Sequence, residues 1–161
     1  MLHSYLTKIL ATARLGDARE ESYYSVLDGL LLGYAQSNGK KDAHVTTLPK
    51  KTEAGNPDFR IWDGKRKIVG YVEAKMPDSN LDVIEKTEQI NRYRETFTNF
   101  ILTNFFEFRL CAFLLLPLNL RLNRAGLSFS CLSHAESSTE LGFAVFSRYW
   151  KRMDVQRFEA P

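Results

Sequence analysis

Cysteine is almost absent from this sequence. The two present, Cys111 and Cys131, have no third or fourth partner and no metal-ligand spacing. That excludes a disulfide scaffold and a thiolate zinc site, and points to free thiols in a reducing compartment. Histidine is equally sparse: His3, His44 and His134 are scattered, so a histidine zinc site or a histidine-driven nucleophile finds no support. Long hydrophobic runs are missing too. The longest, Leu110 to Leu118, is too short to span a bilayer, and the N-terminus lacks the apolar core of a signal peptide. The expectation is a cytoplasmic, soluble protein with no membrane partner. No internal repeat is visible.

At 161 residues the chain is most simply one domain with room for a substantial core. Its 44% hydrophobic and 25% charged residues are ordinary for a globular protein. The net charge of +3 is compatible with a nucleic-acid partner but does not by itself imply one. The basic runs Lys40-Lys41, Lys50-Lys51 and Lys65-Arg66-Lys67 all flank one acidic stretch. Singly, each reads as a solvated surface.

That stretch is Gly55-Asn56-Pro57-Asp58-Phe59 followed by Tyr71-Val72-Glu73-Ala74-Lys75, with Asp58 and Glu73 fifteen positions apart. Phe59–Trp62 and Lys67–Lys75 read as strands joined at Asp63-Gly64, a hairpin signal. Side chains two apart on a strand share a face, so Glu73 and Lys75 project together. Two carboxylates and an ammonium on adjacent strands suit one divalent cation, with the Ala74 carbonyl as a further ligand, and cations of that kind assist phosphodiester hydrolysis.

The remaining elements give this stretch a scaffold. Asp17 to Gln36 has helical periodicity through Tyr24, Leu27, Leu31 and Tyr34, and His44 to Leu48 reads as a strand. Leu81 to Phe97 reads as one amphipathic helix with a stripe of Val83, Ile84, Ile90 and Phe97. Phe100–Thr103 and Phe106–Leu110 read as further strands. The order helix, three strands, helix, strand predicts an α/β (α+β) layer fold with helices covering a mixed central sheet. Extending the first helix stripe back one turn reaches Glu20, an acid on the core-facing side. A helix N-terminus favours acids in any case. Gln89 and Tyr93 share a face of the later helix, one turn apart.

Pro57-Asp58, Glu73-Ala74-Lys75 and Gln89-x-x-x-Tyr93 together resemble the PD-(D/E)xK nuclease superfamily. More narrowly, Arg19-Glu20-Glu21-Ser22-Tyr23, Gly70 to Pro77, Glu88-Gln89-Ile90-x-x-Tyr93 and Ile101 to Arg109 are similar to the N-terminal nuclease domain of single-chain restriction–modification enzymes (the type IIG and type ISP-like group). The resemblance covers roughly positions 10 to 110. It implies a restriction-endonuclease-like core and a Mg²⁺-dependent DNA endonuclease, with Mn²⁺ as substitute. It also implies metal-associated acids at Asp58, Glu73 and Glu20, a catalytic lysine at Lys75 and an auxiliary residue at Gln89. DNA is the implied partner, with a methyltransferase or target-recognition module encoded nearby. With one active site per chain, double-strand cutting requires two copies or two successive nicks, so a dimer on DNA is a further expectation.

A RecB-like or resolvase-type repair nuclease is an alternative within the superfamily. A catalytically inactive DNA-binding or interaction module is the alternative outside it. Methyltransferase motifs and a helicase phosphate loop are missing, and periodicity fades near position 111. The sequence therefore divides into a nuclease core at 1–110 and a C-terminal tail at 111–161 unlike the family's usual continuation, as expected of a truncated or frame-disrupted remnant.

Overall fold

The computed structural model describes residues 1–112, 118–123 and 126–131, with side chains described for residues 1–111. Two helices open the chain, α1 (Leu2–Arg14) and α2 (Tyr24–Ser37), with a 3₁₀ turn, Glu20–Tyr23, leading into the second. Three strands follow: β1 (His44–Thr47), β2 (Phe59–Trp62) and β3 (Ile68–Ala74). Short helices α3 (Leu81–Ile84) and α4 (Glu88–Thr96) then cross to β4 (Asn99–Thr103), β5 (Glu107–Ala112), β6 (Leu118–Asn123) and β7 (Gly126–Cys131).

The strands form one sheet in chain order, β1 to β7. Every neighbouring pair is antiparallel except β3 and β4, which run parallel. A parallel pair needs a crossover, and α3 and α4 supply it. The sheet is therefore mixed, as expected. The strands β6 and β7 extend it into a region where the sequence announces no element.

Pleating divides the sheet's side chains between two cores. Phe59, Ile61, Val72, Ala74, Ile101, Phe108 and Leu110 meet Tyr5 and Ile9 of α1 and Leu27, Leu31 and Tyr34 of α2. On the opposite face Phe100 and Leu102 pack against Leu81, Ile90, Tyr93 and Phe97. Helices thus cover both faces. Phe59, Leu27 and Val72 are fully buried, and truncating such an aromatic typically removes about 3–5 kcal/mol.

Several expectations shift in detail. The helix expected from Asp17 begins only with the Glu20–Tyr23 turn, which Ser22 closes by accepting the Arg19 N–H at 3.1 Å. The helix expected over Leu81 to Phe97 is two. Thr87 donates to the Ile84 carbonyl at 2.8 Å and its side chain then caps α4, a local competition that favours a new N-terminus over continuation. Val83, assigned to the apolar stripe, is 63% exposed because the break rotates it out of register. Asp63-Gly64 does reverse the chain, but within a longer turn. Asp63 accepts from the backbone N–H groups of Lys65 and Lys67. Gly64, at φ +81, lies where a Cβ would collide with Asp42, so glycine is required there twice over.

Among the described residues no helix is long and apolar enough to cross a membrane. Positions beyond 131 lie outside the described residues.

Candidate active site

The site lies where β2 begins and β3 ends. Pro57 is fully buried and delivers the chain into β2, so the carboxylate of Asp58 is held against the neighbouring strand. Its Oδ2 accepts the Ala74 backbone N–H at 2.8 Å. The Tyr24 hydroxyl stands 2.7 Å from Asp58 Oδ1 and 2.9 Å from Glu20 Oε1. One hydroxyl proton serves two acids, so it donates to one at a time.

Glu73 is 2% exposed on β3. Its Oε1 accepts from Lys75 Nζ at 2.7 Å and from Gln89 Nε2 at 2.9 Å. Gln89 also donates to the Tyr93 hydroxyl at 3.2 Å, so α4 fixes the amide that fixes the carboxylate. Tyr93 packs in turn under Gly55, where a Cβ would sit 3.1 Å from the phenol oxygen. By contrast Glu73 Oε2 is buried and has no hydrogen-bond partner. Buried carboxylate oxygens are rarely left this way, and an ion or water is the usual explanation.

Electrostatics point the same way. Burial raises the Glu73 carboxyl from 4.5 to about 7, reinforced by the charge of Asp58 and opposed by Lys75. Burial also raises Asp58, against the Ala74 N–H and Tyr24 bonds, and raises Glu20, against Tyr24 and Lys75. Lys75 is lowered by burial, but its hydrogen bond and charge contact with Glu73, helped by Glu20 and Asp58, prevail and lift it above its ordinary value. It therefore stays an ammonium at neutral pH. Three acids face a single cation, and the imbalance is what a bound positive charge would relieve.

The fold thus brings Asp58, Glu73, Lys75 and Gln89 together, with Glu20 joined through Tyr24. Among the described residues no group of three or more His, Cys, Asp and Glu side chains is arranged to hold a metal ion. The donor set at hand is the pair Asp58 and Glu73, whose open oxygen fits a hard cation that takes few protein ligands. Sequence reasoning placed Tyr24 only in the core stripe and missed its hydroxyl. The signal was there: Glu20 and Tyr24 are spaced i, i+4, as Gln89 and Tyr93 are.

No protein-family profile matches the chain, and no curated protein matches it. Among solved structures it is similar to a cryo-electron-microscopy structure of the DrdV–DNA complex, with a TM-score of 0.54 and 22% sequence identity. The match covers 68% of this chain and 11% of that one, so this chain spans about a tenth of its neighbour's length. At that identity the likeness is one of fold: a mixed sheet flanked by helices, as the order of elements predicts, in the restriction-endonuclease-like arrangement that the motif resemblance implies.

Proposed function

We propose that this chain is a nuclease domain of restriction type that hydrolyses DNA phosphodiester bonds with the help of a divalent cation, Mg²⁺ or Mn²⁺, held by Asp58 and Glu73. The observation that carries the reading is the Glu73 carboxylate. One oxygen is pinned by Lys75 and Gln89, and the other is buried, unpartnered and short of a positive charge. When bound, such a cation neutralises phosphate charge and acidifies water.

The chain's own residues supply the rest. Lys75 remains protonated and shares the face of Glu73, so its ammonium is a donor for charge developing on the phosphoryl oxygens. Gln89 holds the Glu73 rotamer, and the Tyr24 hydroxyl bridges Asp58 and Glu20. Glu20 then adds negative field on the helix side of the pair. DNA as substrate draws on the fold likeness to a protein seen in complex with DNA. Restriction-type context and a partner module for target choice draw on the motif resemblance, and dimeric cutting on there being one active site per chain.

The test is cleavage of supercoiled plasmid with Mg²⁺ or Mn²⁺, beside calorimetric titration of the same ions. The expected result is cation-dependent nicking that Lys75→Ala abolishes with the fold retained, and ion binding that Glu73→Gln removes. Cleavage that persists in Asp58→Ala and Lys75→Ala would refute the assignment. Closed circles left intact while linear ends are degraded would favour the RecB-like alternative.

A further inference from the structure

The sheet face that carries Glu73 also carries a row of rings. Arg60 pairs with Tyr71 across β2 and β3, on the opposite side of the pleat from the buried Phe59–Val72 pair. The Arg60 guanidinium lies 5.6 Å from the Tyr71 ring centre and 5.8 Å from that of Trp62. Trp62 stacks on His44 of β1 at 5.5 Å with the planes 11° apart. Tyr71 stacks on Phe97 at 3.9 Å. The result is one continuous ladder, Phe97, Tyr71, Arg60, Trp62, His44, running outward from the acidic centre.

Its rungs are held in place. Trp62 Nε1 donates to Thr46 Oγ1 at 2.9 Å, and Arg60 Nη2 donates to the Lys50 carbonyl at 3.1 Å. Arg60 Nε is buried with no acceptor. A ladder built only to stiffen the sheet would be capped by apolar packing. Here the outermost rung, His44, is exposed, and Thr46, Trp62, Arg60 and Tyr71 are only half-buried. Around it stand exposed cations: Lys50 and Lys51 in the loop after β1, and Lys65, Arg66 and Lys67 in the β2–β3 turn. The acids interspersed are Asp42, which packs against the β2–β3 turn at Gly64, Glu53 and Asp63, and Asp63 is tied to the turn's own amides.

We propose that this face is a docking surface for an unpaired strand of nucleic acid, with a base adding to the ladder on the outer face of His44 and phosphates meeting Lys50 and Lys51. Stacked rings take any base by its π-face, and flanking cations follow the backbone. Duplex DNA offers its phosphates but keeps its base faces stacked internally. Trp62 lies four residues along β2 from Asp58, about 13 Å at strand rise. That is roughly four steps of a strand rising about 3.4 Å each, so the docked segment would flank the bond at the Asp58–Glu73 centre. In that last respect the inference rests on the nuclease reading.

Fluorescence anisotropy of a labelled single-stranded oligonucleotide, in EDTA so that nothing is cut, tests it, with the matching duplex as competitor. His44 is exposed, so His44→Ala should fold normally and weaken strand binding at least about fivefold, while His44→Phe restores it. Lys50→Glu with Lys51→Glu should weaken binding and flatten its salt dependence. Unchanged binding in His44→Ala, failure of phenylalanine to restore it, or tighter binding of duplex than of single strand would each overturn the proposal. Plasmid cleavage is scored separately. Cutting with His44→Ala binding unchanged removes the docking surface alone, and strand binding without any cutting removes the nuclease reading alone.

Discussion

Glu73→Gln should make the metal-free protein more stable while destroying its function. In the folded chain the Glu73 carboxyl titrates near 7 against an ordinary value of 4.5, chiefly because it is buried and because Asp58 stands beside it. The folded state therefore holds this proton more tightly than the unfolded chain does. Stability from that difference is fully present below about pH 4.5, falls as the pH rises toward 7, and is lost above it. At pH 7 the linkage amounts to roughly 3 kcal/mol of destabilisation. Glutamine is the same shape and carries no charge, so it removes that term. It also leaves an amide NH2 buried with no acceptor where Glu73 Oε2 now stands, which offsets about 1–2 kcal/mol of the gain. The net expectation is a stabilisation of about 1–2 kcal/mol. Urea denaturation in EDTA at pH 7 and pH 5 measures it: the variant should be the more stable at pH 7, with the gap closing at pH 5. Added Mg²⁺ should then stabilise the parent and not the variant. A variant less stable than the parent at pH 7, or a gap independent of pH, would refute the electrostatic reasoning.

Three further perturbations probe the supports of the site. Arg109 is 4% exposed on β5 and reaches Asp82, Glu85 and Glu107 at 2.6, 2.7 and 2.7 Å. Arg109→Ala removes the buried cation beside the largely buried Glu85 and Glu107 and should cost about 3–5 kcal/mol, read by urea denaturation. Arg109→Met, which fills the space, should lose no less, because the acids remain. Gly55→Ala places a Cβ 3.1 Å from the Tyr93 hydroxyl at a φ of +137. It should lower thermal stability and, by shifting Tyr93 and Gln89, reduce plasmid nicking more than DNA binding. Tyr24→Phe deletes the hydroxyl between Glu20 and Asp58. It should leave two facing carboxylates without their shared proton and lower cleavage at least about tenfold, with the circular dichroism spectrum unchanged.

Much of the site was legible because it is short-range. Asp58, Glu73 and Lys75 lie on two strands joined by one turn, and strand alternation with a hairpin signal is enough to bring them together. Gln89 was legible from helical spacing. What failed depended on competition that a periodic pattern does not weigh. The apolar stripe over Leu81 to Phe97 runs through the Thr87 cap as if it were absent, so Val83 was misplaced. No element is expected over α1 although Leu2, Tyr5, Leu6 and Ile9 repeat at helical spacing, and its burial rests on long-range partners such as the Phe105 carbonyl that accepts from Tyr5. The ring ladder was invisible for another reason. His44, Trp62, Arg60 and Tyr71 come from three strands that only the sheet register makes neighbours, and Phe97 joins them from the end of α4.

Where the chain breaks local rules argues for where it works. Leu48 is a non-glycine residue at φ +49, and its side chain is 64% exposed. A left-handed leucine is unfavourable by roughly 1–2 kcal/mol, and exposure returns little of that through packing. What the conformation secures is a 2.7 Å hydrogen bond from the Leu48 N–H to the Asp58 carbonyl, which fixes the backbone carrying the first acid. The other positive-φ residues, Arg66 and Phe105, sit in tight turns between antiparallel strands, where such geometry is expected. Leu48 opens the long connection between the antiparallel β1 and β2, residues 48–58, where no tight turn explains it. The strained leucine, the unpartnered Glu73 oxygen and the excess of acid over cation converge on one end of β2 and β3. Each is unfavourable for folding alone, and a bound cation and phosphate would reverse two of the three. Leu48→Gly separates the contributions: it should hold or raise stability in urea, because the strain is relieved, yet lower cleavage by loosening Asp58. Equal cleavage by Leu48→Gly and the parent would show that the strain serves the loop and not the site.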